Sequence, residues 1–251
     1  MISYEYPLSE RVRTLLRLED LYERVDYFIG KKDPQQHHIA LLSLFEILEV
    51  ASRADLKSDL LQELERQKHT LDALRDNPEV SEKALDDILR QADQASSRLL
   101  QMSGKIGQEL RENDWLMSIK QRTNIPGGVC EFDLPSYHFW LQQEAEQRRH
   151  DLQQWLAPFL PIPDAIAVVL RLLRESGKTT TQVAYQGVYQ QMMAGRVAQM
   201  VRIRLAHSYP CVPEISANKY ALNIRFTTQE GVQRPKAAET DVEFELTFCN
   251  L

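Results

Sequence analysis

The chain has 251 residues, of which 43% are hydrophobic and 26% charged, a composition that predicts a packed core and excludes extensive disorder. Its formal net charge of -6 argues against a protein that binds nucleic acid or an anionic membrane over its whole surface. With no secretory signal, no apolar run near the roughly 20 residues that span a bilayer, and three widely spaced cysteines, we expect a cytoplasmic protein without direct membrane insertion.

The sequence opens with the pattern of a short strand and a long helix. Residues 2–6 alternate in polarity as a strand does, and Pro7 ends the pattern. Ser9 is placed to cap a helix whose apolar residues recur three and four positions apart as far as Phe28. Gly30 is expected to end this helix.

Helical periodicity then continues to the middle of the chain. It predicts further helices over about residues 35–52, 54–74, 81–102, 108–122, 135–156 and 163–176. Asn77-Pro78 breaks the chain between two of them, which we expect to form a long antiparallel hairpin. Its mixed charges fit either a solvated arm or an interaction and dimerisation surface. Residues 124–128 give the strongest turn signal, and residues 129–133 predict a short strand.

Beyond Gly177 the pattern changes to an alternation of period two. It predicts strands over residues 179–189, 197–206, 221–227 and 242–248, arranged as an antiparallel meander. The sequence therefore predicts an α+β fold: a predominantly α-helical domain with a long helical hairpin, and an antiparallel β domain built mainly from the C-terminal third. We place the helical domain at residues 9–122, with strand 2–6 joining the β domain, and the mixed segment and β domain at residues 123–251.

Nothing in the sequence indicates catalysis or metal binding. Residues 176–180 read SGKTT, but a phosphate-binding loop needs a glycine where Leu172 stands and should follow a strand instead of a helix. None of the six histidines has the spacing of a zinc ligand, and no GxSxG motif presents a nucleophilic serine. We therefore expect no enzyme, no metal and no cofactor.

Two basic clusters stand out in this acidic chain. The first comprises Arg11, Arg13 and Arg17 on the opening helix, where Arg13 and Arg17 are four residues apart and point the same way. The second has seven basic residues against two acidic ones between positions 196 and 236: Arg196, Arg202, Arg204, Lys219, Arg225, Arg234 and Lys236. Such clusters suggest a negatively charged partner, and an ordinary solvated sheet face is the alternative.

Four segments resemble the ZapD family of bacterial cell division proteins. They are residues 6–19, 60–67, 106–112 and 122–141, and the last contains the most specific motif, Ile-Pro-Gly-Gly-Val-Cys-Glu-Phe-Asp-Leu-Pro. The resemblance implies a homodimer in which each protomer binds the C-terminal tail of FtsZ, the tubulin-like division GTPase. Such a dimer would cross-link and bundle FtsZ filaments in the ring at midcell.

The resemblance also directs the choice of binding residues. A tail peptide carries apolar anchors and carboxylates, so its receptor needs an apolar groove rimmed by guanidinium groups, which we expect between the helical and β parts. Our first choices for the FtsZ-tail site are Arg13, Arg17, Arg122 and His138. The second choices are Lys120, Arg202, Arg204 and Arg225, and Tyr137 with Trp140 would supply an apolar wall unless Trp140 lies in the core. Asp114 stands where family members can carry a basic residue, so no basic contact is expected there.

Two other functions share part of this pattern. A binding module for another acidic protein partner would have the same physical features and differ only in its ligand. A nucleic-acid-binding regulator would use the basic β face, although the net negative charge and the lack of a reader motif argue against it. An enzyme is the third and most distant reading.

Overall fold

The computed structural model describes residues 1–52, 55–75, 77–78, 80–195, 197–228 and 234–251. Helices followed by antiparallel sheets confirm the predicted α+β class. The chain forms two compact units, which we name the helical unit (residues 14–169) and the β unit (residues 1–13 and 170–251). Residues 123–169, which the sequence pattern grouped with the β domain, are part of the helical unit.

The described residues contain nine α-helices, and the first four match the predicted helices to within a few residues. Their bounds are α1 Glu10–Ile29, α2 Pro34–Ser52, α3 Leu56–Asp72, α4 Glu82–Gln101, α5 Gln108–Arg111, α6 Asp114–Thr123, α7 Pro135–Leu141, α8 Ala145–Leu156 and α9 Pro161–Glu175. A 3₁₀ turn, Ala157–Phe159, follows α8. Residue 54, where the third helix was predicted to begin, lies outside the described residues.

A side-chain cap on α4 and a buried stripe on each helix account for the hairpin of α3 and α4. The hydroxyl of Ser81 accepts a hydrogen bond from the backbone N–H of Ala84 (3.4 Å), which satisfies a donor at the start of α4. The residues of α4 that are buried recur three or four apart: Leu85, Leu89, Ala92, Ala95 and Leu99. Because α3 buries a similar stripe, the two helices pack along their lengths, as predicted.

Each of two predicted helices is interrupted by a polar side chain, and the apolar periodicity gives no sign of either interruption. Between α5 and α6, the Asn113 side chain accepts from the N–H of Leu116 (3.0 Å) and so starts a new helix. Between α7 and α8, the carbonyl oxygens of Leu141 and Gln143 accept hydrogen bonds from the Arg148 guanidinium, which ends α7 without proline or glycine.

The predicted strand at residues 129–133 is wrong, because this segment is a series of tight turns. The N–H of Cys130 donates to the carbonyl of Gly127 (3.2 Å), and that of Asp133 donates to the carbonyl of Cys130 (3.1 Å). A strand needs a neighbouring strand to satisfy its backbone, and the helical unit offers none among its described residues. Phe132 consequently points outward and is 82% exposed.

The β unit contains two antiparallel sheets instead of the predicted meander. The strands are β1 Ile2–Pro7, β2 Thr179–Ala184, β3 Val188–Met192, β4 Met200–Leu205, β5 Val212–Ala217, β6 Ala221–Thr228, β7 Lys236–Ala237 and β8 Val242–Cys249. One sheet has the order β1-β4-β8-β2, and the other has the order β3-β6-β5, with β7 also paired to β6. The N-terminal strand β1 therefore lies in the β unit. Strands β5 and β7 were missed.

A turn explains why the predicted strand 179–189 divides between the two sheets. Gly187 has a φ of +73°, and a Cβ there would lie 2.7 Å from the carbonyl oxygen of Ala238, so glycine is required. The inner faces of the sheets share one core, in which the rings of Phe226 and Phe244 lie 5.1 Å apart. The arrangement is a β-sandwich.

The SGKTT segment joins α9 to β2, which confirms that it is a helix end leading into a strand. A Cβ at Gly177 would lie 2.5 Å from the carbonyl oxygen of Phe248, so the glycine serves close packing against β8. No phosphate-binding loop is formed by these residues.

Candidate functional site

The β unit contains a cleft of about 470 Å³ that we name the Arg13 cleft. It lies where the end of β1, the first turn of α1, the segment after β3 and the turn between β5 and β6 come together. The described residues that line it are Tyr6, Pro7, Leu8, Arg13, Met193, Gly195, Val197, Ala198, Ala217, Asn218 and Lys219. Most of them are apolar or aromatic, two are cations and none is a carboxylate, so the cleft combines apolar and polar surface and has positive charge at its margin.

Arg13 is fixed in this cleft by its own local sequence. Its Nη2 donates to the carbonyl oxygen of Pro7 (3.4 Å), and its guanidinium carbon lies 5.9 Å from the centre of the Tyr6 ring. Its Nε donates to Oε1 of Glu10 (3.1 Å), one turn earlier on α1. Arg13 is therefore held with its stem over apolar surface and its side chain partly exposed, at 31%.

Lys219 stands at the tip of the turn that joins β5 to β6. The side chain of Asn218 accepts hydrogen bonds from the N–H groups of Tyr220 (2.8 Å) and Ala221 (3.0 Å), which fixes the turn. The Lys219 ammonium lies 4.8 Å from the centre of the Tyr220 ring, and Tyr220 is 63% exposed. An aromatic ring and a cation are thus presented together at this margin of the cleft.

The Arg13 cleft suits an extended peptide with an apolar side chain and a carboxylate. Met193 supplies a buried apolar surface, while Val197 is 74% exposed beside it. A guanidinium binds a carboxylate with two parallel hydrogen bonds, and an ammonium binds it as a point charge. The cleft therefore presents apolar side chains and cations of the kinds that an acidic peptide requires.

Arg17 lies four residues beyond Arg13 on α1 and is assigned to the helical unit. It is exposed, and no ion pair to it is found among the described residues. An exposed arginine that forms no ion pair within the described part of the chain presents its charge to a partner, which keeps Arg17 among the predicted binding residues.

The other basic residues predicted in the helical unit each lie beside a carboxylate. Lys120 forms an ion pair with Glu49, Arg122 Nη1 lies 3.5 Å from Asp133 Oδ1, and His138 Nε2 lies 3.8 Å from Glu131 Oε2. Each of these contacts places a carboxylate beside the basic group, as Glu10 does beside Arg13. Asp114, at the start of α6, places its negative charge near the helix N-terminus, where an acid is stabilising.

Tyr137 belongs to the core of the helical unit, which corrects its predicted place in a surface groove. Its side chain is fully buried, and its hydroxyl forms a 2.6 Å hydrogen bond with Nδ1 of His38. Burial raises the pKa of Tyr137 far above its usual range. Trp140 also lies in the core, stacked on Tyr137 at 5.7 Å, and its Nε1 donates to Asp151 (2.8 Å).

Arg202, Arg204 and Arg225 do not form one basic face. Arg202 and Arg204 alternate with the core residues of β4, so they lie on the outer face of the first sheet. Arg204 Nη1 lies 3.0 Å from Glu245 Oε2 there. Arg225 alternates with the core residues of β6 and therefore lies on the outer face of the second sheet, opposite Glu214. Arg196, counted in the same basic cluster, lies outside the described residues.

The described residues give no indication of a metal site or of a reactive cysteine. They contain no group of three or more His, Cys, Asp or Glu side chains that could hold a metal ion. Burial raises the pKa of the Cys211 and Cys249 thiols, which keeps them protonated at neutral pH. Of the described helices, none is individually long and apolar enough to cross a membrane; residues 145–159 and 161–175 meet the length and composition criteria only as a pair bent by 61°.

Sequence reasoning found Arg13 but missed most of the Arg13 cleft. Lys219 was named as a member of the basic cluster but not as a binding residue, although the Asn218 turn beside it indicates an exposed position. Met193 and Val197 carry no sequence signal, because their role depends on the close approach of segments that are far apart along the chain.

Similarity to known proteins extends over both units. A family model described as "ZapD: Cell division protein" matches residues 16–225. A protein of Azoarcus sp. (strain BH72) named Cell division protein ZapD is 63% identical over 251 residues, which is 100% of both chains. Proteins of the same name from Aromatoleum aromaticum (61%, covering 100% of this chain and 98% of that one) and Chromobacterium violaceum (58%, covering 99% of each) are similar over their whole lengths.

Proposed function

This chain belongs to the ZapD family of cell division proteins, and we propose that it binds the C-terminal tail of FtsZ. The observation that supports this proposal is the Arg13 cleft, which is lined by several apolar side chains, has Arg13 and Lys219 at its margin and has no carboxylate among its described lining residues. Those properties match a peptide that carries apolar anchors and acidic side chains.

We propose further that the protein acts as a homodimer at the division ring in the cytoplasm. Each protomer would bind one tail, so that a dimer cross-links neighbouring FtsZ filaments and bundles them. A single tail is expected to bind with a Kd on the order of micromolar, which is typical of a short exposed peptide. Filaments present many tails close together, so the second site of a bound dimer meets a high effective concentration of ligand.

Co-sedimentation with polymerised FtsZ tests this function directly. The wild-type protein is expected to pellet with full-length FtsZ and to stay in solution with FtsZ that lacks its C-terminal tail. Arg13→Glu and Lys219→Glu, which reverse the charges of the Arg13 cleft, are expected to reduce pelleting at least about tenfold, because each replaces an attraction with a repulsion.

A matched control uses Arg90, an exposed arginine of α4 whose side chain is 65% exposed. Arg90→Glu reverses the same charge away from the Arg13 cleft and is expected to pellet as the wild type does. Loss of pelleting in all the variants would indicate a nonspecific charge effect. Arg17→Glu and Arg122→Glu extend the test to the predicted residues of the helical unit. If these two variants lose pelleting while Arg13→Glu does not, the tail site lies in the helical unit.

A further inference from the structure

Arg13, the central cation of the Arg13 cleft, already holds a carboxylate from its own chain. Oε1 of Glu10 accepts a hydrogen bond of 3.1 Å from Arg13 Nε, and the Glu10 side chain is 85% exposed. Glu10 thus places a carboxylate on the guanidinium that an acidic peptide would use. It occupies Nε, one of the donors through which the guanidinium can bind a ligand carboxylate at two points.

The contact with Glu10 is not needed to position Arg13. The guanidinium also donates to the carbonyl oxygen of Pro7 (3.4 Å) and lies over the Tyr6 ring, and neither contact depends on Glu10. Exposed ion pairs three residues apart on a helix contribute little to stability. Removing the Glu10 charge should therefore leave Arg13 in place and weaken the contact that competes for its Nε.

We infer that Glu10 is a built-in competitor for the ligand carboxylate at Arg13 and that it weakens the binding of an acidic peptide. This inference rests on the proposed function of the Arg13 cleft. A bound tail must displace Glu10 from Nε or share the guanidinium with it, and in either arrangement two carboxylates lie close together. The Glu10 contact therefore keeps the affinity of a single site low, so that firm attachment requires both sites of a dimer.

The test measures the binding of a fluorescently labelled peptide with the sequence of the FtsZ C-terminal tail to the full chain. Glu10→Gln keeps the size of the side chain and removes its charge. We expect it to bind the peptide about two- to fivefold more tightly than the wild type, the range typical of exposed charge pairs. The gain in affinity should become smaller as salt is raised, because salt screens the repulsion between the Glu10 charge and the peptide. At physiological ionic strength the screening length is about 8 Å.

Glu82→Gln is the matched control. Glu82 is the first residue of α4 after the cap Ser81, as Glu10 is the first residue of α1 after Ser9, whose hydroxyl accepts from the N–H of Val12 (3.2 Å). Both variants remove an acid from the first turn of a helix, so both should have the same small effect on the melting temperature. Glu82→Gln should leave peptide affinity unchanged.

The outcomes separate the inference from the proposed function. If the wild type binds the peptide and Glu10→Gln binds it no more tightly, Glu10 is not a competitor and the inference is overturned. An equal gain from Glu82→Gln would also overturn it, because the effect would then come from net charge alone. If the wild type does not bind the peptide at any salt concentration, the proposed function itself fails.

Discussion

Arg148 is a buried cation whose partners are uncharged. It is 3% exposed, and its guanidinium donates to Nδ1 of His37 (3.0 Å) and to the carbonyl oxygens of Lys32 (2.7 Å), Leu141 (2.9 Å) and Gln143. These acceptors come from the turn after α1, the start of α2 and the end of α7. One side chain therefore satisfies carbonyl groups at two helix junctions, between α1 and α2 and between α7 and α8, together with a ring nitrogen of α2.

We expect Arg148→Met to lower the free energy of unfolding by about 2–4 kcal/mol, because it leaves several buried acceptors without a donor. Urea unfolding followed by circular dichroism measures the change. The control is Arg90→Met on the exposed surface of α4, which should change stability by less than about 0.5 kcal/mol. Equal losses for the two variants would mean that the buried hydrogen bonds contribute nothing beyond the loss of an arginine.

His37 and His38 make stability depend on pH. Burial lowers the pKa of His37 below its usual 6.5, assisted by the nearby charge of Arg148, and burial likewise lowers the pKa of His38. The unfolded chain therefore binds protons more readily than the folded protein once the pH falls below about 6.5. The stability present above that pH is progressively lost as these residues must become charged.

The expected result is a free energy of unfolding that is constant near neutral pH and falls as the pH is lowered from about 7 to about 5. Urea titrations at several pH values measure it. The double variant His37→Gln/His38→Gln should show a shallower decline, because glutamine does not titrate. His150→Gln, at an exposed position of α8, serves as the control and should keep the wild-type decline. An unchanged slope in the double variant would assign the acid sensitivity to carboxylates.

Among the secondary-structure elements, the short helix α5 begins at a position where only glycine fits. Gly107 has a φ of +71°, and a Cβ there would lie 2.3 Å from Cδ1 of Leu48 and 3.0 Å from Cζ of Phe159. The entry to α5 is therefore pressed against α2 and the 3₁₀ turn after α8. Gly127 also has a φ of +71°, but a Cβ there would meet no atom of the described residues within 4 Å, so Gly127 shares the conformation without the contact.

Gly107→Ala is expected to lower the free energy of unfolding by about 2–4 kcal/mol, from backbone strain together with overpacking. Gly127→Ala should cost only about 1 kcal/mol, because it carries the backbone strain alone. Thermal and urea unfolding of both variants gives the difference, which measures the steric part. If the two variants lose the same stability, Leu48 and Phe159 move aside without penalty.

The sequence predicted the elements whose stability is local. Helices α1 to α4 follow from apolar periodicity, the cap at Ser81 and the break at Asn77-Pro78, because those signals act within a few residues. The interruption between α7 and α8 could not be predicted, since it depends on Arg148, whose other partners are more than 100 residues away in sequence. The sandwich was missed for the same reason: strand order is decided by pairing between distant segments.

The candidate site shows the same difference: residues whose contacts are near in sequence could be predicted, and residues whose contacts are distant in sequence could not. Arg13 was predicted from helix spacing, and its contacts are all within six residues. Tyr137 was assigned to the surface because an aromatic residue beside a histidine gives no sign of burial, yet its ring packs against residues of other helices. Alternation placed Arg202 and Arg204 on one face correctly, but it could not show that Arg225 lies on the outer face of a different sheet.

At the scale of the whole molecule, the low affinity expected of each tail site and the net negative charge of the protein both favour the proposed cross-linking. The net charge of -6 disfavours nonspecific association with acidic partners, so attraction is confined to places such as the Arg13 cleft. A weak single site lets each attachment to a filament dissociate quickly. In the proposed dimer, two such sites would bind firmly only where tails are dense, which would confine bundling to assembled filaments.

This arrangement predicts how salt should act on bundling compared with binding of a single tail. Added salt screens Arg13 and Lys219, and a bundled dimer must keep both of its sites occupied. We therefore expect the logarithm of the bundling constant to fall with the logarithm of salt concentration about twice as steeply as that of peptide binding. Light scattering of FtsZ filaments and fluorescence anisotropy of the tail peptide, measured in the same buffers, give the two slopes. Equal slopes would show that one tail site suffices for bundling, and the dimeric cross-link would then have to come from another surface of the protein.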